Sequence, residues 1–105
     1  MGLFAKRKEA RENLNRVLSL HGLVIKYVTE MRDGQEYVLG RGGNTAIHHD
    51  ELIVLSSQKT VFRSKVNETQ VSHLMSGDGV VISGRNLENN DTHQVVTAHF
   101  VDFNR

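Results

Sequence analysis

The chain of 105 residues contains no cysteine. A disulfide framework, a thiolate zinc site, iron–sulfur ligation and a cysteine nucleophile are therefore all excluded. Aromatic residues are also few, at 6% of the sequence, and the apolar share of 38% is at the low end for a globular protein. The stability of the fold must come from packing rather than from covalent cross-links.

Long hydrophobic runs are missing as well. The longest, Leu52 to Leu55 and Val80 to Ile82, are far shorter than the ~20 residues that a membrane-spanning helix needs. The N-terminus lacks the apolar region and cleavage site of a secretory signal, and Lys6 stands where a myristoylation motif has Ser or Thr. We therefore predict a soluble, cytoplasmic protein without a transmembrane segment.

The charge is unevenly distributed although the formal net charge is only +1. Residues 1–32 hold seven Lys or Arg against three Glu, whereas the remaining residues hold six basic against nine acidic side chains. This local basic excess is compatible with an acidic partner, but dedicated nucleic-acid binders usually carry a stronger one.

An amphipathic helix is predicted over residues 5–21, because apolar residues recur there at helical spacing between charged ones. Gly22 suits the left-handed position that ends a helix. The first turn has no capping residue and carries Lys6, Arg7 and Lys8 at the positive end of the helix dipole, so we expect fraying before about residue 8. The apolar stripe comprises Leu3, Ala10, Leu14, Val17 and Leu18.

The hydrophobic period changes from 3.6 to 2 after Gly22, which predicts a half-buried strand up to Arg32. Asp33-Gly34 matches a type I′ hairpin turn, and Tyr37 to Leu39 continues as a second strand. One face of the first strand is expected to carry Leu23, Ile25, Tyr27, Thr29 and Met31.

Five further strands are predicted over residues 45–49, 52–55, 60–66, 80–84 and 93–103. The second of these is apolar without alternation, as in a central strand covered on both faces. Residues 68–75 are predicted to form a short helix, because Asn67 and Gln70 match a capping box and Val71, Leu74 and Met75 would share one side.

Together these elements predict one α+β, mostly β domain over residues 1–105, with the helix packed on a β body at 23–103. Antiparallel sheets of this length tend to curl closed, which favours a small barrel or roll of about six to seven strands. The turn and strand from Leu74 to Gly84 look like the late strands of OB-fold barrels, while the strand count resembles PH-like barrels. Each likeness covers a third of the chain or less.

Histidines suggest one candidate for chemistry. His48-His49-Asp50-Glu51 could supply metal ligands, but adjacent side chains on a strand point to opposite faces unless the backbone turns there. His93 and His99 share a face of the last strand, and His49 beside His99 would create a two-histidine site. Histidines on half-buried strands more often satisfy backbone groups, so a histidine-dependent metal site is the third hypothesis.

Two short motifs have simpler explanations. Ser56-Ser57-Gln58-Lys59 matches the Ser-x-x-Lys of penicillin-recognising enzymes, but the companion motifs are absent and the segment is expected to be a β-turn. Gly40-Arg41-Gly42-Gly43 could cradle a phosphate only if a helix followed it, and an extended segment follows instead. A bulge or wide turn is the expected use of these glycines.

The sequence therefore assigns no catalytic, cofactor or metal-binding residue. The leading hypothesis is a non-enzymatic binding or protein-interaction module, in which the N-terminal helix either clamps the β body or mediates self-association. The alternative is a single-stranded nucleic-acid-binding, OB-like domain. A basic binding face would comprise Lys6, Arg7, Lys8, Arg11, Lys26, Arg63, Lys65 and Arg85.

Overall fold

The computed structural model describes residues 3–100, with side chains from residue 6 onward. Within these residues, one α-helix precedes eight strands, and a 3₁₀ turn, Val66–Glu68, lies between the fifth and sixth strands. The elements are α1 (Leu3–Leu18), β1 (Ile25–Arg32), β2 (Gln35–Arg41), β3 (Gly43–His48), β4 (Glu51–Ser56), β5 (Lys59–Lys65), β6 (Gln70–His73), β7 (Gly79–Asn86) and β8 (Thr92–Phe100). No helix within this range is long and apolar enough to cross a membrane.

The strands form two antiparallel sheets, so the mostly β architecture is confirmed. A five-stranded sheet has the order β2-β1-β8-β7-β6, and a three-stranded sheet has the order β3-β4-β5. The sheets approach each other at an isolated bridge between Val24 and Asn44, and where the Leu87 amide donates to the Arg63 carbonyl at 2.7 Å. They are not closed into one barrel.

The core lies between the two sheets and the end of the helix. Phe62, Leu52 and Val54 come from the three-stranded sheet, and all three are fully buried. Alternate residues of the five-stranded sheet face them, as period-two strands require. These are Val28, Val80, Ile82, Val96 and Ala98, with Val17 and Leu20 added from the helix and the turn that follows it.

The helix begins at Leu3 and ends at Leu18, rather than running over the predicted residues 5–21. Gly22 has the expected positive φ of 81°, but its amide donates to the Thr45 carbonyl on β3 at 2.9 Å. The Thr45 hydroxyl also donates to the Leu20 carbonyl. The early end therefore follows from tertiary contacts, which draw residues 20–22 into the body.

The predicted face of β1 is wrong at its start, because Ile25 lies on the opposite face from Tyr27, Thr29 and Met31. Ile25 and Val28 are both fully buried, whereas Met31 is exposed. The register shifts between Ile25 and Tyr27 opposite β8, which leaves Lys26 as an extra residue. A β-bulge of this kind reverses the alternation, so Ile25 points into the core and Tyr27 points away from it.

The short helix predicted over residues 68–75 is also wrong. Residues 66–68 form the 3₁₀ turn and Gln70–His73 form β6, which is the strand missing from the sequence-based count. Val71 is buried and pairs with Ile82 of β7. β6 pairs with β7 at all four of its residues, and this pairing together with the burial of Val71 outweighs a weak local helix signal.

Tight turns join consecutive strands. Asp33 and Gly34 have φ angles of 49° and 79°, which confirms the predicted type I′ hairpin. His49-Asp50 and Ser57-Gln58 also have positive φ at both residues, although neither pair contains glycine. The backbone therefore does turn within His48-His49-Asp50-Glu51.

Two asparagine side chains take the place of a neighbouring strand at outer sheet edges. Asn13 of α1 donates to the Thr69 carbonyl at 2.8 Å and accepts from the Val71 amide at 3.0 Å. Asn86 makes the same pattern on β5, donating to the Val61 carbonyl at 3.2 Å and accepting from the Arg63 amide at 3.1 Å. Each asparagine side chain thus bonds to one backbone carbonyl and to the backbone N–H two residues later, as a paired strand does.

Candidate protein-interaction surface

Among the elements described within residues 3–100, no helix or second sheet packs on the side of the five-stranded sheet that faces away from the core. Its exposed apolar residues are Met31 at 66%, Val38 at 48% and Val95 at 44% relative exposure. Thr29 pairs with Val38 on one side and with Thr97 on the other, and Thr97 pairs with Val81, so these side chains form one row. We call this surface the open sheet face; it comprises Tyr27, Met31, Val38, Val81, Val95 and Thr97.

The position of α1 explains why this surface stays open. Val17 and Leu20 enter the core, while Arg16 donates to the Val71 carbonyl at 2.7 Å beside the contacts of Asn13. The helix consequently packs against β6 and the 3₁₀ turn, at the edge of the sheet. Leu14 and Leu18, two apolar residues of the same helix, are exposed.

The rim of the open sheet face is polar. Glu36 accepts a hydrogen bond from the Thr29 hydroxyl at 2.9 Å, which holds its carboxylate along the sheet. At another end, Arg85 contacts Glu68 at 3.0 Å and Asp91 at 3.7 Å. The surface therefore combines an apolar and hydroxyl-bearing centre with paired charges around it.

Tyr27 and His99 form a stacked pair at one end of this surface. Their ring centroids are 4.3 Å apart and the rings are 19° from parallel. The Nε2 atom of His99 is buried and has no hydrogen-bond partner in the part of the chain that the structure describes. Nearby, a hydrogen bond from the Ser76 hydroxyl lowers the pKa of Asp78, with smaller contributions from the charges of His99 and Lys26.

A separate charge cluster lies on β4 and β5. Arg63 contacts Glu51 and Glu88, each at 2.8 Å, and Lys65 contacts Glu51 at 3.4 Å. The hydrogen bond from Arg63 lowers the pKa of Glu51, and the two carboxylates raise the pKa of Arg63. The basic and acidic side chains of this cluster therefore balance one another's charge in the folded chain.

The residues of the predicted basic face lie on four different elements. Four are exposed on α1, Lys26 is on β1, Arg63 and Lys65 are on β5, and Arg85 is on β7. Arg63, Lys65 and Arg85 each contact at least one carboxylate, so part of their charge is balanced within the chain. The four on α1 are Lys6, Arg7, Lys8 and Arg11.

The histidines are dispersed over both sheets and the helix end. His49 and His99 belong to different sheets, and His93 lies opposite Arg85. His48 and His49 contact each other edge-on at the β3–β4 turn, with ring centroids 4.0 Å apart. Among residues 3–100, no three or more His, Asp or Glu side chains are grouped so that they could hold a metal ion.

The glycine-rich segment forms the corner between β2 and β3. The Gly42 amide donates to the Lys26 carbonyl at 2.8 Å and the Arg41 amide donates to the Ser57 hydroxyl at 2.9 Å, so both are already used. A Cβ atom on Gly43 would lie 1.9 Å from the Leu55 carbonyl oxygen, which only glycine avoids. Ser56 donates to the Gly42 carbonyl, and both serines of the Ser-x-x-Lys match therefore have structural roles.

A groove of about 630 Å³ runs between α1 and the 3₁₀ turn. Ala10, Leu14 and Val66 form its apolar wall, and Lys6, Glu9 and Gln70 contribute polar groups. Residues on one face of the helix line most of this groove. Its walls are therefore not built on hydrogen-bonded neighbouring strands, as the open sheet face is.

No family model, curated protein or solved structure matches this chain. The sequence contained a signal for the open sheet face, because Tyr27, Thr29 and Met31 alternate along β1. It missed Val38 and Val95 as members of the same surface, since their proximity depends on the strand order β2-β1-β8.

Proposed function

We infer that this protein is a non-enzymatic interaction module that binds another polypeptide through the open sheet face. The observation that carries this inference is the patch of exposed apolar side chains, Met31, Val38 and Val95, with a polar rim. Protein interfaces share this distribution, with charged residues depleted at the centre and retained around it. Contiguous exposed apolar surface on a folded domain also indicates an interaction site more often than a chance feature.

The rigidity of the surface supports the same proposal. β1, β8 and β7 are inner strands of the five-stranded sheet, so their backbones are paired on both sides. Side chains on such strands are held in place before a partner arrives, which lowers the entropy lost on binding. Tyr27 is further held by its stack on His99.

We also propose a rolled scaffold of the PH-like or OB-like kind. The Val24–Asn44 bridge at one side and the Leu87–Arg63 hydrogen bond at the other bring the margins of the two sheets together. This proposal concerns the scaffold only, and the docking surface does not depend on it.

A site-specific photo-cross-linker tests the proposed surface. Benzoylphenylalanine at position 95 should give discrete adducts with another protein in cells, and Met31→Lys should reduce their yield. Leu18 is the matched control position, because it is apolar and exposed to a similar degree on α1. Thermal unfolding of each variant verifies that the fold is intact. Equal adduct yields at positions 95 and 18, or no effect of Met31→Lys, would contradict the proposal.

Single-stranded nucleic-acid binding is the second candidate. It is favoured by Lys6, Arg7, Lys8 and Arg11, which are exposed and make no ion pair with any described residue. Binding of a labelled oligonucleotide should then fall steeply with salt and should weaken when these four are replaced by Gln. Absence of binding at low ionic strength would exclude this candidate.

A further inference from the structure

β2 is an outer strand whose backbone is partly unpaired. The two-residue turn Asp33-Gly34 makes Arg32 and Gln35 the closing pair of the hairpin. Hydrogen-bonded and non-bonded pairs alternate from there, so Tyr37 bonds to β1 while Glu36 and Val38 direct their amide and carbonyl groups outward. No group between residues 3 and 100 pairs with these outward groups.

Each of the other three outer edges is occupied at one or more residues. Asn13 and Arg16 cover β6, and Asn86 with the Leu87 amide covers β5. On β3, the Ile47 amide donates to His21 Nδ1 at 2.8 Å, while the turn at residues 22–23 pairs with Thr45. Proteins generally block such edges because unpaired strands associate with other chains. Among the outer strands within residues 3–100, β2 therefore differs in that the outward groups of Glu36 and Val38 have no partner.

The local side chains leave this edge accessible. A charged residue often protects an edge, but the Glu36 carboxylate is directed along the sheet by its bond with Thr29. The available window ends near Arg41, whose amide is bonded to the Ser57 hydroxyl and whose carbonyl accepts from the Ser57 amide. Pairing can therefore use Glu36 and Val38, with Tyr37 between them.

We propose that this edge pairs antiparallel with the same edge of a second copy, around a two-fold axis at Tyr37. Glu36 then lies opposite Val38 of the second copy, and each of these two pairs exchanges two backbone hydrogen bonds. Because the interface is isologous, the two copies use the same residues. The result is one sheet of ten strands.

The alternative registers are poorer. Centring the axis on Glu36 would place two carboxylates directly opposite each other, which destabilises antiparallel pairs. Centring it on Val38 would place Glu36 opposite Gly40, beyond the bulge where β2 no longer directs its groups outward.

The pairing goes beyond the proposed docking function, because it uses the edge of the sheet rather than its face. It involves few residues, so we expect association that depends on concentration rather than a permanent dimer. The self-association that the sequence suggested for α1 is a competing explanation, and the experiment distinguishes the two.

Cysteine cross-linking reports the register directly, since the native chain has no cysteine. Tyr37→Cys places two thiols at a non-hydrogen-bonded antiparallel pair, where Cβ atoms are about 4.5–5.5 Å apart. A disulfide-linked dimer should form faster as the concentration rises. Ser72→Cys is the matched control, because Ser72 is also exposed and lies on β6, where Asn13 and Arg16 occupy the outer edge at Val71.

Charge substitutions at Val38 test the same register in the Tyr37→Cys background. Val38→Glu would face Glu36 of the second copy and should slow cross-linking about three- to tenfold, whereas Val38→Lys should retain or increase the rate. Val95→Glu and Val95→Lys are matched controls on β8 and should leave the rate unchanged. Circular dichroism confirms that each variant is folded.

The proposal is overturned by equal rates for Tyr37→Cys and Ser72→Cys, or by equal slowing from Val38→Glu and Val38→Lys. It is also overturned if Leu14→Glu with Leu18→Glu on α1 abolishes the cross-link. Photo-cross-linking at position 95 is measured separately, so either proposal can fail while the other stands.

Discussion

At the scale of single residues, Asn86 makes four hydrogen bonds with one buried amide. Besides the Val61 and Arg63 backbone, it donates to Gln94 at 2.7 Å and accepts from the Glu88 amide at 3.0 Å. Both donors and both acceptors are therefore used. This side chain joins β5, β7, β8 and the loop between the last two.

Replacing Asn86 by alanine should lower the free energy of unfolding by about 2–4 kcal/mol, because buried backbone groups lose their partners. Chemical denaturation of the wild type and the variant measures the difference. Asn44→Ala is the control, since Asn44 is exposed and its side chain makes no hydrogen bond within residues 3–100. A loss no larger than that of the control would contradict this role for Asn86.

The ion pairs of Glu51 predict a pH dependence. Arg63 holds the pKa of Glu51 below its ordinary value of 4.5. A carboxylate with a lowered folded-state pKa stabilises the protein above 4.5, and this stabilisation is lost as pH falls through the lowered pKa. Glu51→Gln should therefore reduce the Tm at pH 7, and the difference from wild type should vanish in acid. A difference that is the same at every pH would contradict the assignment.

At the scale of elements, the hairpins differ in how well their turns suit their sequences. Asp33-Gly34 is well matched to type I′ geometry, whereas Gln58 adopts a φ of 64° with a full side chain. Ser57 cannot be exchanged freely, because its hydroxyl accepts from the Arg41 amide. Gln58 is therefore the position where the β4–β5 turn can be improved.

Gln58→Gly should raise the free energy of unfolding by about 0.5–1 kcal/mol, because glycine adopts the left-handed region without a steric cost. Gln35→Gly provides the control on β2, where the backbone is extended and glycine should destabilise by about 0.5–1 kcal/mol. Thermal or urea unfolding compares the two. Destabilisation by both substitutions would contradict this prediction, because it would show that the Gln58 side chain itself stabilises the fold.

At the scale of the whole molecule, α1 is part of the core rather than an appendage. Val17 and Leu20 are fully buried, and Leu20, Gly22 and Leu23 form hydrogen bonds with Thr45. A chain that starts at Leu23 should therefore lose cooperative thermal unfolding, measured by circular dichroism. The full chain with Leu14→Ala and Leu18→Ala should keep it, since both side chains are exposed. A cooperative transition in the truncated chain would contradict this prediction.

The sequence predicted what depends on neighbours in the chain and missed what depends on distant ones. Asp33-Gly34 identified its hairpin because turn chemistry is local. Val71 was assigned to a helix because its strand partner, Ile82, follows another turn, and the bulge at Lys26 is defined by pairing with β8. The open sheet face could not be predicted because its residues come together only through the order of three strands. The role of Asn86 could not be predicted because its partners lie on β5 and β8, far away in the sequence.

The bonds from Asn13 and Arg16 to β6 span 55 to 58 residues. A ribosome adding 5–20 residues per second therefore completes the helix roughly 3–12 s before it completes the strand that the helix covers. Throughout that interval the backbone groups of β6 that Asn13 and Arg16 bind do not yet exist, so these two side chains lack their native partners. The step that shields β6 must then be one of the last in co-translational folding.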